Sequence, residues 1–344
     1  MKHSKAIWII AAVLVAAIAA GLLWLPRGFH NTIVDVRSQK YSHAMMMDEL
    51  ATLTRLYPEA LSMQIADTTL EGRALPLVTF GNPATQHHVM IQSTMHAREY
   101  MASQMTMALL EQYAWAYAND REIDGHNIRE LFNDVCFTIL PMVNPDGASI
   151  SQMGIDGVNT PEGRRWLAEM IDSGYNPEQI KSNARGVDIN RNFSNGFGYD
   201  PDGRAARNFD FYPGESPLSE VESQLMMRVA RMHDYDCFLN YHTSGNLIYY
   251  GCGNAADSVN AAARAMSELI SRHTGYEGFG PESAPPNGSW ADEVEVLFLR
   301  PSATIELGTR NPVPISEFAP LYKRHTPVWA DLAHTIATSS LFGQ

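Results

Sequence analysis

The spacing of hydrophobic positions changes repeatedly along this chain. Residues 41–56 and 101–118 carry apolar side chains at helical spacing, whereas 87–94 and 135–143 are short, nearly continuous apolar runs. The short runs predict strands that are covered on both faces, and the helical segments predict the helices that cover them. Strands that alternate with helices indicate one α/β domain with a mixed, mostly parallel sheet flanked by helices.

The remaining segments add elements around this centre. Residues 64–81 predict two short strands around a turn at Gly72. Residues 148–185 are polar and are expected to be irregular, with one short helical stretch near 165–171. Further predicted elements are strands at 237–243 and 297–308, and helices from Ser216, at 256–273 and from 314 to the C-terminus.

The N-terminal segment, residues 1–30, differs from the rest. Lys2 and Lys5 precede an uncharged apolar run at 6–26, which is long enough to span a bilayer as a helix. A cleaved signal peptide with a small-residue site at 17–19 is the alternative. Apolar residues continue past that site, so we expect an uncleaved membrane anchor. In either case the two lysines favour an extracytoplasmic location for the rest of the chain.

Length, charge and cysteine usage limit the class of protein. We expect a polar linker at 31–40 and one domain at 41–340, which is long enough for a sizeable core. The formal net charge of −13 argues against nucleic-acid binding, because phosphate contacts need a basic surface. Three cysteines without close spacing are not a disulfide framework. We expect Cys136 and Cys237 to be small buried hydrophobic residues.

Two histidines and a glutamate stand where predicted strands end. His96 and Glu99 follow the strand at 87–94, and a spacing of three lets both side chains face one side of a first helical turn. His242 lies at the end of the strand at 237–243. Such residues are normal ligands of catalytic zinc, which takes three protein ligands and a water. For His242 alone, a histidine satisfied within the core is the alternative.

A glutamate and an arginine-containing segment are also candidates for chemistry. Glu306 lies in an apolar strand, where it is either a general base or an edge residue that faces water. Asp188, Asn190 and Arg191 form a cluster that either binds a substrate carboxylate or holds a loop through an Asp–Arg pair. Other histidines, expected to be exposed, are His87, His88, His233, His273, His325 and His334.

Five motifs in this order resemble the zinc metallocarboxypeptidases related to pancreatic carboxypeptidase A, in their bacterial branch. The motifs are HAREY (96–100), NPDG (144–147), GVDINRNF (186–193), YHTSG (241–245) and TIELG (304–308). The resemblance spans about 41–338 and implies a zinc carboxypeptidase-like fold with one Zn²⁺ per chain. No segment of prodomain length precedes Tyr41, so we expect a chain that is active without activation cleavage.

The resemblance implies a role in zinc chemistry for five residues. His96, Glu99 and His242 match the zinc ligands. Asp188 matches the acid that orients the first of the two histidines, as metal-bound imidazoles generally require. Glu306 matches the glutamate that activates the zinc-bound water and then passes the proton to the leaving amine.

The resemblance also implies roles in substrate binding, with two departures. Asn190 and Arg191 match the pair that binds the terminal carboxylate, and Arg98 matches an arginine that lines the cleft. The arginine that stabilises the oxyanion has no clean match, and Lys181 stands nearest its place. Tyr276 is the only tyrosine near the position of the mobile, substrate-covering one. Competitors for the oxyanion role are Arg164, Arg165 and Arg185, and Gly288 is a candidate for the floor of the specificity pocket.

Three functions follow from these residues. The first is hydrolysis of the C-terminal peptide bond of peptides. The second is cleavage of murein peptides between D-glutamate and a diamino acid, which suits a membrane-tethered extracytoplasmic enzyme and a basic residue followed by x-Asn ahead of Gly186. The third is a non-catalytic zinc-binding or peptide-binding protein, against which the presence of Glu306 argues.

Overall fold

The computed structural model describes residues 30–200, 203, 207–283 and 285–339. The predicted anchor at 1–30 therefore lies outside the described residues, apart from His30. Within the described part of the chain, no helix combines the length and the apolar character needed to cross a bilayer.

Ten strands and ten α-helices make up the described part of the chain. The strands are β1 (Leu61–Thr68), β2 (Ala74–Gly81), β3 (His87–Ser93), β4 (Glu122–Ile123), β5 (His126–Asn127), β6 (Val135–Leu140), β7 (Cys237–His242), β8 (Leu247–Tyr250), β9 (Glu277–Phe279) and β10 (Ser302–Glu306). The helices are α1 (His43–Leu56), α2 (Tyr100–Ala118), α3 (Ile128–Asp134), α4 (Pro145–Met153), α5 (Pro161–Asp172), α6 (Val221–Ala230), α7 (Asp257–Thr274), α8 (Trp290–Leu297), α9 (Phe318–His325) and α10 (Val328–Thr338).

Eight of the strands form one mixed sheet in the order β1-β2-β6-β3-β7-β10-β8-β9. The four central strands, β6, β3, β7 and β10, run parallel, and β2 and β8 pair with them in the antiparallel sense. The predicted fold class, a mixed and mostly parallel sheet flanked by helices, is confirmed. The carboxyl ends of the parallel strands share one edge, where open α/β sheets bind ligands.

The core lies on both faces of this sheet. One cluster contains Phe80, Tyr113 and Trp329, with α2 buried along nearly its whole length. A second cluster contains Phe238 and Trp290 on the other side. Because both faces are covered, the central strands carry apolar side chains at consecutive positions, which is why they were recognisable as continuous apolar runs.

The segment predicted as a linker, 31–40, packs against the domain. The buried carboxylate of Glu111 in α2 accepts hydrogen bonds from the backbone N–H groups of Thr32, Ile33 and Val34 at 2.7–3.0 Å. Val34 is buried in the core. A buried carboxylate needs hydrogen-bond donors. The backbone N–H groups of this segment supply them, and the carboxylate in turn holds the segment against α2.

Two helix predictions differ from the structure. The polar region 148–185 is more regular than expected, because α4 occupies its start behind an Asn144 cap. The helix predicted from Ser216 begins at Val221, since Asn192 binds the carbonyl groups of Pro213 and Ser216 and holds a turn there.

The apolar run at 297–308 is only partly a strand. Residues up to Leu297 belong to α8, and Leu299 has a left-handed backbone with φ of 56°. The strand β10 therefore begins at Ser302, after this reversal of the chain.

Two histidines expected at the surface are buried. His88 stacks on His233 with ring centroids 4.0 Å apart. His325 on α9 packs against Tyr241 and Tyr276 in the core. The apolar bodies of these rings are covered by neighbouring aromatic rings, which spacing along the chain does not reveal. The expectation that Cys136 and Cys237 are buried is confirmed.

Candidate active site

Two strand ends position the three candidate ligands. After β3, the hydroxyl of Thr94 donates to the carbonyl of Glu99 and accepts from the N–H of Ser103, which ties the strand to the first turn of α2. This connection fixes the turn that carries His96. His242 is the last residue of β7, the neighbouring parallel strand.

The three side chains converge on one point. Nδ1 of His96 lies 2.8 Å from Oε1 of Glu99, and Nδ1 of His242 lies 3.0 Å from Oε2 of the same carboxylate. The two Nδ1 atoms are 3.1 Å apart. All three residues are buried, and their ligand atoms lie within 4.8 Å of one another.

This donor set fits a metal cation. Two imidazole nitrogens and a carboxylate at these distances present lone pairs to one another, and such a buried group needs a shared positive charge. Burial opposes ionisation of Glu99, but the neighbouring His96 and the hydrogen bonds from both histidines outweigh it and lower its pKa. Burial lowers the pKa of His242, which favours the neutral imidazole that binds metals.

The Nε2 atom of each histidine, on the opposite side of the ring from Nδ1, also has a polar neighbour. Nε2 of His96 lies 3.3 Å from Oδ1 of Asp188, whose pKa is lowered because His96 outweighs the effect of its burial. Nε2 of His242 lies 3.2 Å from the side-chain amide of Gln92 in β3. These contacts leave both Nδ1 atoms free to face a metal. The sequence reasoning missed Gln92, although a polar residue within a buried strand was a signal.

Glu306 stands beside this group. It ends β10 opposite His242 in the parallel pair β7–β10. Desolvation raises the pKa of its carboxyl, and the nearby carboxylate of Glu99 raises it further. The cations of Lys181 and Arg98 act in the opposite direction. The edge-strand alternative does not apply, because β10 lies between β7 and β8.

The backbone brings Lys181 to the same place. Its carbonyl accepts from the N–H of Ala97, next to His96. Its positive charge helps to lower the pKa of Asp188, and it opposes the overall rise in the pKa values of His96 and Glu306.

The competing arginines lie elsewhere. Arg185 pairs with Glu220 at 3.5 Å, and Arg164 and Arg165 are exposed on α5. Among the four basic residues that compete for the oxyanion role, Lys181 is the one whose backbone contacts the turn that carries His96.

Phe211 connects two cations of the site and was missed by the sequence reasoning. The ammonium of Lys181 lies 5.1 Å from the centre of its ring, and the guanidinium carbon of Arg191 lies 5.6 Å from it. Its N–H donates to Oδ2 of Asp188 at 3.2 Å, and its backbone is left-handed with φ of 63°. A left-handed backbone at a large non-glycine residue is costly, so the surrounding contacts hold the ring in place.

The Asn190–Arg191 pair sits on a short turn that Asp188 caps. The side-chain oxygen of Asn190 accepts from the N–H of Trp290, which joins the turn to α8. Gly288 permits this approach: it has φ of 79°, and a Cβ there would lie 2.5 Å from the Arg191 carbonyl oxygen. Gly288 therefore packs behind the pair.

Arg98 and Tyr276 have different placements. A terminal nitrogen of Arg98 donates to the carbonyl of Gln179 at 3.0 Å. The positive charge of Arg98 partly offsets the rise in the pKa of Glu306. Tyr276 is 4% exposed and its ring packs on His325 in the core. The structure does not bring Tyr276 to the site, because the start of β9 directs its ring inward.

A mixed α/β fold with two histidines and a glutamate at the edge of its parallel strands defines a candidate metallopeptidase. A profile of the zinc carboxypeptidase family matches residues 46–325, and the chain belongs to this family. It is therefore a zinc metallopeptidase, and the cluster of His96, Glu99 and His242 could hold the ion.

Individual relatives agree with this assignment. Over 294 residues the chain is 30% identical to gamma-D-glutamyl-L-diamino acid endopeptidase 1 of Lysinibacillus sphaericus, covering 83% of this chain and 70% of that protein. The fold is similar to that of carboxypeptidase A from Helicoverpa armigera, with a TM-score of 0.65, 20% identity and coverage of 89% and 75%. It is also similar to murein-tripeptide amidase MpaA from Escherichia coli O157, with a TM-score of 0.50, 16% identity and coverage of 80% and 92%.

Removing one ligand should remove the metal. In Glu99→Ala and His242→Ala we expect bound zinc, measured by elemental analysis of the purified chain, to fall at least about tenfold, because two ligands hold zinc far more weakly than three. His273→Ala is the control, since that imidazole pairs with Asp331 at 2.9 Å. Full zinc content in both ligand variants would place the ion elsewhere.

Removing the aromatic face of Phe211 should weaken activity without loss of metal. Leucine has the same cost in the left-handed backbone, so Phe211→Leu tests the ring alone. We expect kcat/KM to fall about tenfold as Lys181 and Arg191 lose their common support, with zinc content retained. Phe279→Leu, on the edge strand β9, serves as the control. An unchanged kcat/KM would contradict the positioning role.

Proposed function

We propose that this chain hydrolyses murein peptides, at the bond between the γ-carboxyl of a glutamyl residue and a diamino acid that bears a free carboxylate. The observation that carries the proposal is the 30% identity, over 83% of the chain, to an endopeptidase named for that bond. Lys181 adds support, because a basic residue followed by x-Asn before Gly186 resembles the cell-wall branch of the family.

The side chains divide the reaction among them. When bound, zinc supplies a Lewis acid that lowers the pKa of a coordinated water and polarises the scissile carbonyl. Glu306 accepts the proton of the attacking water and delivers it to the leaving amine. The raised pKa of its carboxyl suits a group that both takes up and gives back a proton.

Two positive groups bind the charges of the substrate. Arg191 and Asn190 bind the free carboxylate of the diamino acid, for which the planar guanidinium is suited. Lys181 stabilises the negative charge that develops on the scissile carbonyl oxygen. Phe211 holds Lys181 and Arg191 against one ring.

Hydrolysis of the C-terminal bond of ordinary peptides is the second candidate function. The similarity of the fold to a carboxypeptidase A favours it. It would use the same zinc ligands, the same Glu306 and the same carboxylate pair. The two functions differ only in what precedes the scissile bond.

Product analysis distinguishes the two functions. We expect the purified chain to release the diamino acid from γ-D-glutamyl-diamino acid peptides, as measured by mass spectrometry. Release of a C-terminal residue from ordinary α-linked peptides should be at least about tenfold slower. Glu306→Gln, which keeps the shape of the side chain but not its basicity, is the inactive control. Cleavage of ordinary peptides alone would refute the murein assignment.

We also propose that residues 1–30 anchor the enzyme outside the cytoplasm, where murein lies. The support is the uncharged run at 6–26 behind Lys2 and Lys5. We expect the full chain to remain in the membrane fraction after a high-salt wash, and a chain that begins at residue 30 to be released. Recovery of a chain shortened at its N-terminus in the soluble extracytoplasmic fraction would instead support a cleaved signal.

A further inference from the structure

A cavity of about 420 Å³ adjoins the candidate active site. It is lined by Gln39, Lys40, Tyr100, Ser151, Glu178, Arg310, Asn311, Pro312 and Pro314. Two of these residues, Gln39 and Lys40, precede residue 46, where the match to the zinc carboxypeptidase family begins. None of the lining residues has a role in the reaction described above.

Hydrogen bonds join the wall of the cavity to the metal ligands. The side chain of Asn311 donates to the carbonyl of Thr243 at 2.8 Å, and the hydroxyl of Thr243 donates back to it. The N–H of Thr243 donates to Oε2 of Glu99 at 3.2 Å. Tyr100, in another wall, is the next residue after Glu99. The cavity therefore lies beside Glu99 and His242.

The cavity and the carboxylate-binding pair are joined to different metal ligands. Asn190 and Arg191 are joined to the site through Asp188, which contacts His96. The cavity is joined to it through Thr243 and Glu99. A substrate whose terminal carboxylate binds Arg191 would thus extend across the ligands, and the part ahead of the scissile bond would point towards the cavity.

The cavity offers two cations that have no acidic partner. Among the described residues, Arg310 forms no hydrogen bond or ion pair through its guanidinium, and Lys40 donates only to the carbonyl of Gln152, at 2.6 Å. The ammonium of Lys40 keeps two further N–H donors. Glu178 is the one carboxylate in the lining, so the positive charges outnumber the negative.

Both cations are carried by backbone that is held firmly. Gln39 donates to the carbonyl of Val313 at 2.9 Å and accepts from the N–H of Ile315 at 2.8 Å, which clamps the loop that carries Arg310. Glu317 accepts from the N–H and the hydroxyl of Thr309 on the same loop. The backbone that carries both cations is therefore fixed, while their exposed side chains stay available to an anion.

We propose that this cavity binds the free α-carboxylate of the glutamyl residue, through Arg310 and Lys40. The inference rests on the proposed function, because a glutamyl residue linked through its γ-carboxyl leaves its α-carboxyl free. Four bonds separate that carboxyl from the scissile carbonyl carbon, a reach of about 5 Å. An α-linked residue with a neutral side chain has no carboxylate at that position, so the subsite favours the γ-glutamyl bond over such α-linked bonds.

The test compares two peptides that differ only in this group. One is a γ-D-glutamyl-diamino acid peptide with a free α-carboxylate, and the other carries an α-carboxamide. For the wild-type full chain we expect kcat/KM to be at least about tenfold higher on the carboxylate peptide. In Arg310→Gln and Lys40→Gln that ratio should fall towards one, through a higher KM for the carboxylate peptide.

A control variant and two contradicting results distinguish failure of the proposed subsite from failure of the proposed function. Arg300→Gln removes a cation that pairs with Asp234 and should keep the wild-type ratio. Equal kcat/KM of the wild type on both peptides, or an unchanged ratio in Arg310→Gln, would overturn the subsite alone. Resistance of both peptides to the wild type would overturn the proposed function and the subsite with it.

Discussion

The pairing of two parallel strands determines the rest of the site. In the ladder between β3 and β7, Ser93 lies opposite Tyr241, so the turn after β3 and the end of β7 meet at one edge of the sheet. That register brings His96 to His242 across 146 positions of sequence. The next parallel pair places Glu306 opposite His242. A slip of one residue in either ladder would turn these side chains to the opposite face.

The edge of the sheet is crowded with buried charge, and each charge has a neighbour of opposite sign. Asp188 faces His96 and raises the pKa of that imidazole, while His96 and the charge of Lys181 lower the pKa of Asp188. The ring of Phe211 packs against Lys181 and Arg191, and the backbone of Phe211 is left-handed, a conformation that is unfavourable for this residue. This arrangement holds the cations in fixed positions, and fixed positions are what electrostatic catalysis needs.

The segment at 31–40 is part of the domain in structural terms. Glu111 binds its backbone at Thr32, Ile33 and Val34, and Gln39 then bridges to the loop that follows Glu306. The segment thus links the proposed membrane side of the chain to one wall of the cleft.

The sequence by itself determined the fold class, the central strands and the chemical types at the site, because buried strands and ligand residues each have a local signature. Order along the chain was enough to group His96, Glu99, His242 and Glu306. Only the tertiary structure placed Tyr276 in the core and Phe211 beneath the cations, since both depend on contacts between distant segments. The cavity beside Glu99 has the same origin: its walls come from five separate parts of the chain, and no local pattern along the sequence predicts that these parts meet.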